Sequence, residues 1–429
     1  MTGSVLQNLA FSRRTAPTGV TSVCSAHPQV LRAALRLAKR QNQEVLIEAT
    51  CNQVNQFGGY TGQTPKNFAA FVADLAAEQG LAMERVILGG DHLGPNPWRK
   101  EPADIAMAKA EKMVAAYVEA GFSKIHLDAS MGCAGEPAAL NDEATAERAA
   151  RLAQVAELSA RNAGRVPPCY VIGTEVPVPG GADHALDHIR PTTPAAARRT
   201  LEVHRATFGR HGLQAAYDRV LALVVQPGVE FGNDNVIAYD PSQTAELTRL
   251  LDDYPTLVYE AHSTDYQTGP ALAALVQNGF PILKVGPGLT FAMRQAIYAL
   301  DMIASELVDG YGGRPLAATM ETVMREAPGY WHGYYTGSER AQYIQRHYSL
   351  SDRIRYYWGA KKALAAWERL RSALKNVSIP PTLWWQYLPQ VPVEHPETVD
   401  PDTVVMMAVE LILQRYGEAG TATVTPEPA

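Results

Sequence analysis

The sequence predicts an α/β fold, a (β/α)8 TIM barrel with a C-terminal helical extension. Short apolar runs recur up to about residue 308, and each is followed by a segment of helical periodicity. The runs are continuously apolar instead of alternating, as expected of parallel strands buried on both faces. There are eight such repeats, the number that closes a barrel. An open doubly wound sheet lacks its fingerprint, because no G-x-G-x-x-G follows the first run.

The elements follow in order. The run 19–24 is β-prone and precedes an amphipathic helix over 29–41. The run 44–49 ends in an amide- and glycine-rich loop over 50–62, before a helix opening at Thr64-Pro65 with threonine as cap and proline in the first turn. The third run, 85–88, breaks at Gly89-Gly90 into Asp91-His92. Adjacent side chains on an extended segment point to opposite faces, so both reach one cavity only if the backbone turns there. Gly89-Gly90 before the pair and Gly94-Pro95 after it permit that turn. A helix over 102–120 leads to the run 124–128, and a helix over 142–162 to the run 169–175. The sixth, seventh and eighth runs are 220–226, 256–262 and 281–288, with helices over 193–210, 243–251 and 290–307. Past Asp309 come helices without strands, over 316–326, 341–348, 353–373 and 401–416. The chain therefore divides into a barrel over 1–308 and a helical extension over 309–429 that covers one face of the barrel or serves an interface, with 421–429 as a loose tail.

Composition narrows the function classes. The 429 residues are 46% hydrophobic and 19% charged, enough for one large core. A net charge of -6 without any lysine or arginine run argues against nucleic acid or an anionic membrane as partner. Without a basic leader or a bilayer-long apolar stretch, the expected compartment is the cytoplasm. Cys24, Cys51, Cys133 and Cys169 are far apart with no C-x-x-C, so neither a disulfide framework nor a cysteine zinc site is written here.

Barrel enzymes carry their chemistry at the C-terminal strand ends. Here those ends bear Glu48, Asp91 and His92, His126 and Asp128, Glu175, Gln226, Glu260 with His262 and Asp265, and Lys284. Ionisable groups ending apolar runs are costly unless they meet water, a metal or each other. His92, Glu175 and His262 offer a two-histidine, one-carboxylate set for a divalent metal, Zn²⁺ first, with Mn²⁺, Co²⁺ or Ni²⁺ as alternatives. The competing reading is that each histidine only hydrogen-bonds a neighbouring loop. His126 is a fourth ligand or a packed core histidine. Asp91, Asp128 and Asp265 are candidates for proton transfer or for orienting hydrogen bonds. Glu48 and Glu260 sit one step inside the strand ends, as supports or as ligands in another register. Lys284 precedes Val285-Gly286-Pro287-Gly288 and a helix, which favours a salt bridge or a phosphate contact shared with Gly286 over a Schiff base. Asn52, Gln53 and Gln56, with Ser130, Gln226 and Ser263, supply groups for sugar hydroxyls, or else bonds that hold their own loops. Tyr356-Tyr357-Trp358 reads as helix packing.

Several blocks are similar to the GatZ/KbaZ family, the so-called non-catalytic Z subunit of class II D-tagatose-1,6-bisphosphate aldolase. They are Ile47-Glu48-Ala49-Thr50-Cys51-Asn52-Gln53-Val54-Asn55-Gln56-Phe57-Gly58-Gly59-Tyr60-Thr61-Gly62, Gly89-Gly90-Asp91-His92-Leu93-Gly94-Pro95, Ile125-His126-Leu127-Asp128-Ala129-Ser130-Met131, Gly173-Thr174-Glu175-Val176-Pro177, Val225-Gln226-Pro227-Gly228-Val229-Glu230-Phe231, Tyr259-Glu260-Ala261-His262-Ser263-Thr264-Asp265 and Ser349-Leu350-Ser351-Asp352-Arg353-Ile354-Arg355-Tyr356-Tyr357-Trp358. The resemblance covers most of the chain and departs in the stretch after Gly181 and in the C-terminal tail.

What it implies stays divided. Some relatives are described as metal-dependent epimerases that invert C4 of ketohexoses, so the first expectation is a ketohexose 4-epimerase, acting on tagatose or fructose, free or phosphorylated, by retro-aldol and aldol steps. The second is a supporting subunit for a catalytic aldolase partner, and the third a stand-alone aldolase. An assembly of identical subunits is also expected.

Overall fold

The computed structural model describes residues 5–173, 189–392 and 400–421. Eight parallel strands close a barrel: β1 (Val20–Val23), β2 (Val45–Thr50), β3 (Val86–Leu93), β4 (Lys124–Leu127), β5 (Cys169–Ile172), β6 (Val220–Val224), then β9 (Val258–Ala261) and β10 (Ile282–Val285), which pairs back on β1. All eight start in the apolar runs, but β3 does not break at Gly89-Gly90 as expected: it continues through them to Leu93. A short antiparallel hairpin, β7 (Glu230–Phe231) with β8 (Val236–Ile237), lies in the connection after β6 and has no periodicity signal in the sequence.

Alternation along each strand sorts residues to two faces. Ile47, Leu88, Ile125, Tyr170, Leu223, Tyr259 and Leu283 belong to the large core that includes the helices. Val20, Leu46, Ile87, Val171, Ala222, Val258 and Ile282 form a separate apolar cluster inside the barrel, joined by Leu6 and Leu9 of the helix Val5–Ser12. This eight-residue helix plugs the base. Two residues further along their strands, the inward positions become Ser22, Glu48, Gly89, Glu260 and Lys284. A Cβ on Gly89 would lie 2.7 Å from Glu48 Cγ, so the glycine gives that carboxylate its room.

The β3–β4 register shifts between Gly90 and Leu93, and His92 lies within the shift at a φ of 50°. A bulge of this kind re-aims a side chain. It brings Asp91 and His92 to the same cavity, as the surrounding glycines led us to expect.

The extension contains the helices Pro315–Glu326, Glu339–Tyr348, Lys361–Leu374, Pro381–Tyr387 and Pro401–Thr421. The helix expected over 353–373 is broken: Asp352 takes a left-handed φ of 45°, and only a 3-10 turn, Arg353–Tyr357, follows before Gly359. In that conformation Asp352 accepts hydrogen bonds from Thr290 Oγ1 at 2.7 Å and Arg294 Nε at 2.8 Å, which offsets the backbone cost. The last helix lies along the barrel wall. Glu410 pairs with Arg36 and Arg40 of the helix Pro28–Gln41, and Tyr416 Oη donates to the Thr264 carbonyl at 2.7 Å. All four cysteines are free thiols, and no described helix is long and apolar enough to cross a membrane.

Candidate active site

Above the apolar base the barrel holds a buried charge network. Lys124 Nζ lies 2.7 Å from both Glu48 and Glu260, and Ser22 Oγ donates to Glu48 at 2.8 Å. Lys284 Nζ is 2.6 Å from Asp91, 3.4 Å from Glu48 and 3.5 Å from Glu260. Burial alone pushes lysine pKa values down, but the neighbouring carboxylates outweigh it and raise both Lys124 and Lys284. A Schiff-base role for Lys284 needs a neutral amine, and this environment holds the ammonium instead.

At the mouth, one ligating atom each from Asp91, His92, His126 and His262 lies within 4.8 Å of all the others. His92 stands between two carboxylates: Asp128 Oδ2 is 2.8 Å from its Nδ1, and Asp91 Oδ1 is 3.8 Å from its Nε2. Burial lowers the His92 pKa, but the two aspartates overcome it and the net shift is upward. For Asp128, burial raises the pKa while the His92 hydrogen bond and charge bring it down to about 2. His126 Nε2 is 2.8 Å from the Gly173 carbonyl, which can only accept, so Nε2 carries the proton and Nδ1 turns toward Asp91, 3.2 Å away. His262 Nε2 bonds Glu260 at 3.0 Å, whereas its Nδ1 is buried without a partner among the described residues. Burial, with Lys284 and His92 nearby, lowers this imidazole to about 3, so it is neutral at physiological pH.

That donor set fits a divalent cation. Three imidazoles and a carboxylate suit zinc and its first-row neighbours, and the orphaned Nδ1 of a neutral, buried His262 is an atom that a cation would satisfy. The Asp128 contact on His92 is the kind of outer hydrogen bond that orients a metal-binding imidazole.

Residues 6–421 match the profile of the D-tagatose-1,6-bisphosphate aldolase subunit GatZ/KbaZ-like family. The chain belongs to this family. It is 60% identical over 417 residues to the D-tagatose 6-phosphate 4-epimerase of Agrobacterium fabrum, spanning 97% of this chain and 98% of that one. A crystal structure described as a probable tagatose 6 phosphate kinase from Sinorhizobium meliloti 1021 superposes with a TM-score of 0.85 at 52% identity, covering 94% of this chain and 100% of that one.

The remaining candidates in this GatZ/KbaZ-like chain are placed as follows. Glu175 lies outside the described residues. Asp265 Oδ1 accepts the backbone N–H of Gly286 at 3.0 Å and of Gly288 at 2.6 Å, so the amides that the sequence offers to a phosphate are already hydrogen-bonded. Burial raises Asp265 to about 6 despite those bonds. Gln53 Oε1 accepts from the Thr50 amide, Gln56 Nε2 donates to the Lys109 carbonyl, and Gln226 Oε1 accepts from the Gly228 and Val229 amides, each bracing its own loop. Asn52 is exposed. Ser130 Oγ donates to Asp128 at 3.0 Å, and Ser263 is buried at a left-handed φ of 52° with a hydroxyl that has no partner among the described residues. Sequence reasoning does not single out Lys124 or Ser22. The only signal is a lysine inside an otherwise buried strand, Lys124-Ile125-His126-Leu127.

Proposed function

We propose that this chain is a metal-dependent 4-epimerase of ketohexose 6-phosphates, with D-tagatose 6-phosphate and D-fructose 6-phosphate as the interconverted pair. The observation that carries the reading is the convergence of Asp91, His92, His126 and His262 on one point at the barrel mouth. His92 and His262, with His126 and Asp91 beside them, would hold the cation. A divalent ion bound there supplies Lewis-acid stabilisation of the negative charge that develops on the ketose oxygens.

The protein groups do the proton work. Asp91, ionised and paired with Lys284, takes the proton of the C4 hydroxyl as the C3–C4 bond breaks, its electron pair remaining with C3 and conjugating into the C2 carbonyl. The C4 aldehyde then rotates, C3 attacks its other face, and the new C4 oxygen recovers a proton. The proton taken by Asp91 is the one returned to that oxygen, while Asp128, ionised at the opposite edge of the His92 ring, accepts a hydrogen bond from the hydroxyl in the other orientation. Asp128 also fixes His92 through Nδ1, which leaves Nε2 directed at the shared point.

A supporting-subunit reading leaves the buried, unpartnered His262 nitrogen without a purpose. The kinase description of the S. meliloti structure names the same sugar phosphate with different chemistry. Incubating the purified protein alone with D-tagatose 6-phosphate and Zn²⁺ or Mn²⁺, without ATP, separates these by ¹³C NMR. The epimerase reading expects D-fructose 6-phosphate. Conversion only with ATP, conversion only with an added aldolase subunit, or net release of triose products overturns it.

A further inference from the structure

The usual places for a phosphate on a barrel are occupied here. The Gly286 and Gly288 amides are bonded to Asp265, and Lys284 is surrounded by Asp91, Glu48 and Glu260, whose charges would repel a phosphate. The helical extension supplies another cation. Arg355 lies in the 3-10 turn Arg353–Tyr357, within a block that the proposed chemistry does not use. Its Nη1 donates to the Ser351 and Asp352 carbonyls, and its Nη2 donates to Tyr356 Oη at 2.8 Å. Of five guanidinium N–H donors, the Nε–H and one Nη2–H keep no protein partner among the described residues. No described carboxylate lies within the 4.0 Å ion-pair distance of Arg355.

The position is braced toward the mouth. The guanidinium lies over the Tyr356 ring at 4.4 Å, and that ring meets Tyr60, from the loop after β2, edge-on at 4.8 Å. The Tyr60 amide donates to the Asn52 carbonyl at 2.9 Å, and the amide of the adjacent Gln53 donates to the Cys24 carbonyl just past β1. Arg355 is partly exposed, and its charge interacts with Tyr60, Asp352 and Asp265. An arginine held rigid by main-chain carbonyls, with free N–H groups and no described carboxylate in direct contact, is built to receive an anion at its open edge.

We infer that Arg355 binds the phosphate of the substrate, so that the helical extension supplies the part of the mouth that recognises a phosphorylated ketose. The inference rests on the epimerase reading for the identity of the sugar, but not for the anion site itself. The test has two arms. Titration of the protein with inorganic phosphate, followed by ³¹P NMR line broadening, should show binding in the wild type, loss in Arg355→Gln and partial retention in Arg355→Lys. The preference in kcat/KM for D-tagatose 6-phosphate over D-tagatose should fall about 10- to 100-fold in Arg355→Gln, mostly through KM, the range expected for losing hydrogen bonds to a charged group. Equal phosphate binding by wild type and Arg355→Gln, or an unchanged preference between the two sugars, overturns the inference. If the wild type turns over neither sugar, the epimerase reading fails and the phosphate titration still decides the role of Arg355.

Discussion

The base and the mouth of the barrel are built from the same strands and differ only in what each inward position carries. Along β9 the inward residues are Val258, Glu260 and then His262 just beyond it; along β3 they are Ile87, Gly89 and Asp91; along β10, Ile282 and Lys284. Moving two residues, about 7 Å, exchanges dispersion for charge. The base is stabilised by removing apolar surface from water, and the plug formed by Leu6 and Leu9 completes that burial. The charge network higher up gains much less, because desolvation consumes most of the Coulomb attraction between buried ions. Such groups are therefore placed for the chemistry above them, and base and mouth should respond differently to substitution.

The largest effect belongs at the mouth. Asp91→Asn should weaken metal binding and, even at saturating metal, lower turnover of D-tagatose 6-phosphate on the order of 10²–10⁴-fold, the scale for losing a general acid or base, while Asp128→Asn should weaken metal binding about 10- to 100-fold through the lost brace on His92. Steady-state kinetics beside metal analysis separates the two. In the network between base and mouth, Lys124→Met removes the nearer of the two lysines that Glu48 and Glu260 share and should cost about 3–5 kcal/mol in urea unfolding. At the base, Ile282→Val should cost only about 0.5–1.5 kcal/mol and leave kcat and metal content as they were. A change in metal affinity from Ile282→Val, or a harmless Lys124→Met, would erase the division between the regions.

The division also explains what the sequence discloses. Parallel strands buried on both faces are continuous apolar runs, so all eight barrel strands can be read directly, and the ionisable residues that end them mark Asp91, His92, His126, His262 and Lys284. Radial depth is not written in that pattern. Lys124 binds Glu48 across 76 positions, and only closure of the barrel reveals the pairing. The base plug Val5–Ser12 is too short for a helical period to stand out, and the β7–β8 hairpin offers only two residues a strand. Asp265 resembles the other strand-end acids in sequence, yet its contacts are the amides at the start of the helix Pro287–Leu307.

The central claim is that the imidazoles and the carboxylate at the mouth form one cation centre. Its most direct measurement is the divalent-metal content of purified protein after equilibration with Zn²⁺ and gel filtration, compared between wild type and His262→Ala. The account expects a single ion per wild-type chain and its loss in His262→Ala, with Ile282→Val retaining it. A His262→Ala protein that folds and holds the ion as tightly as the wild type would contradict it.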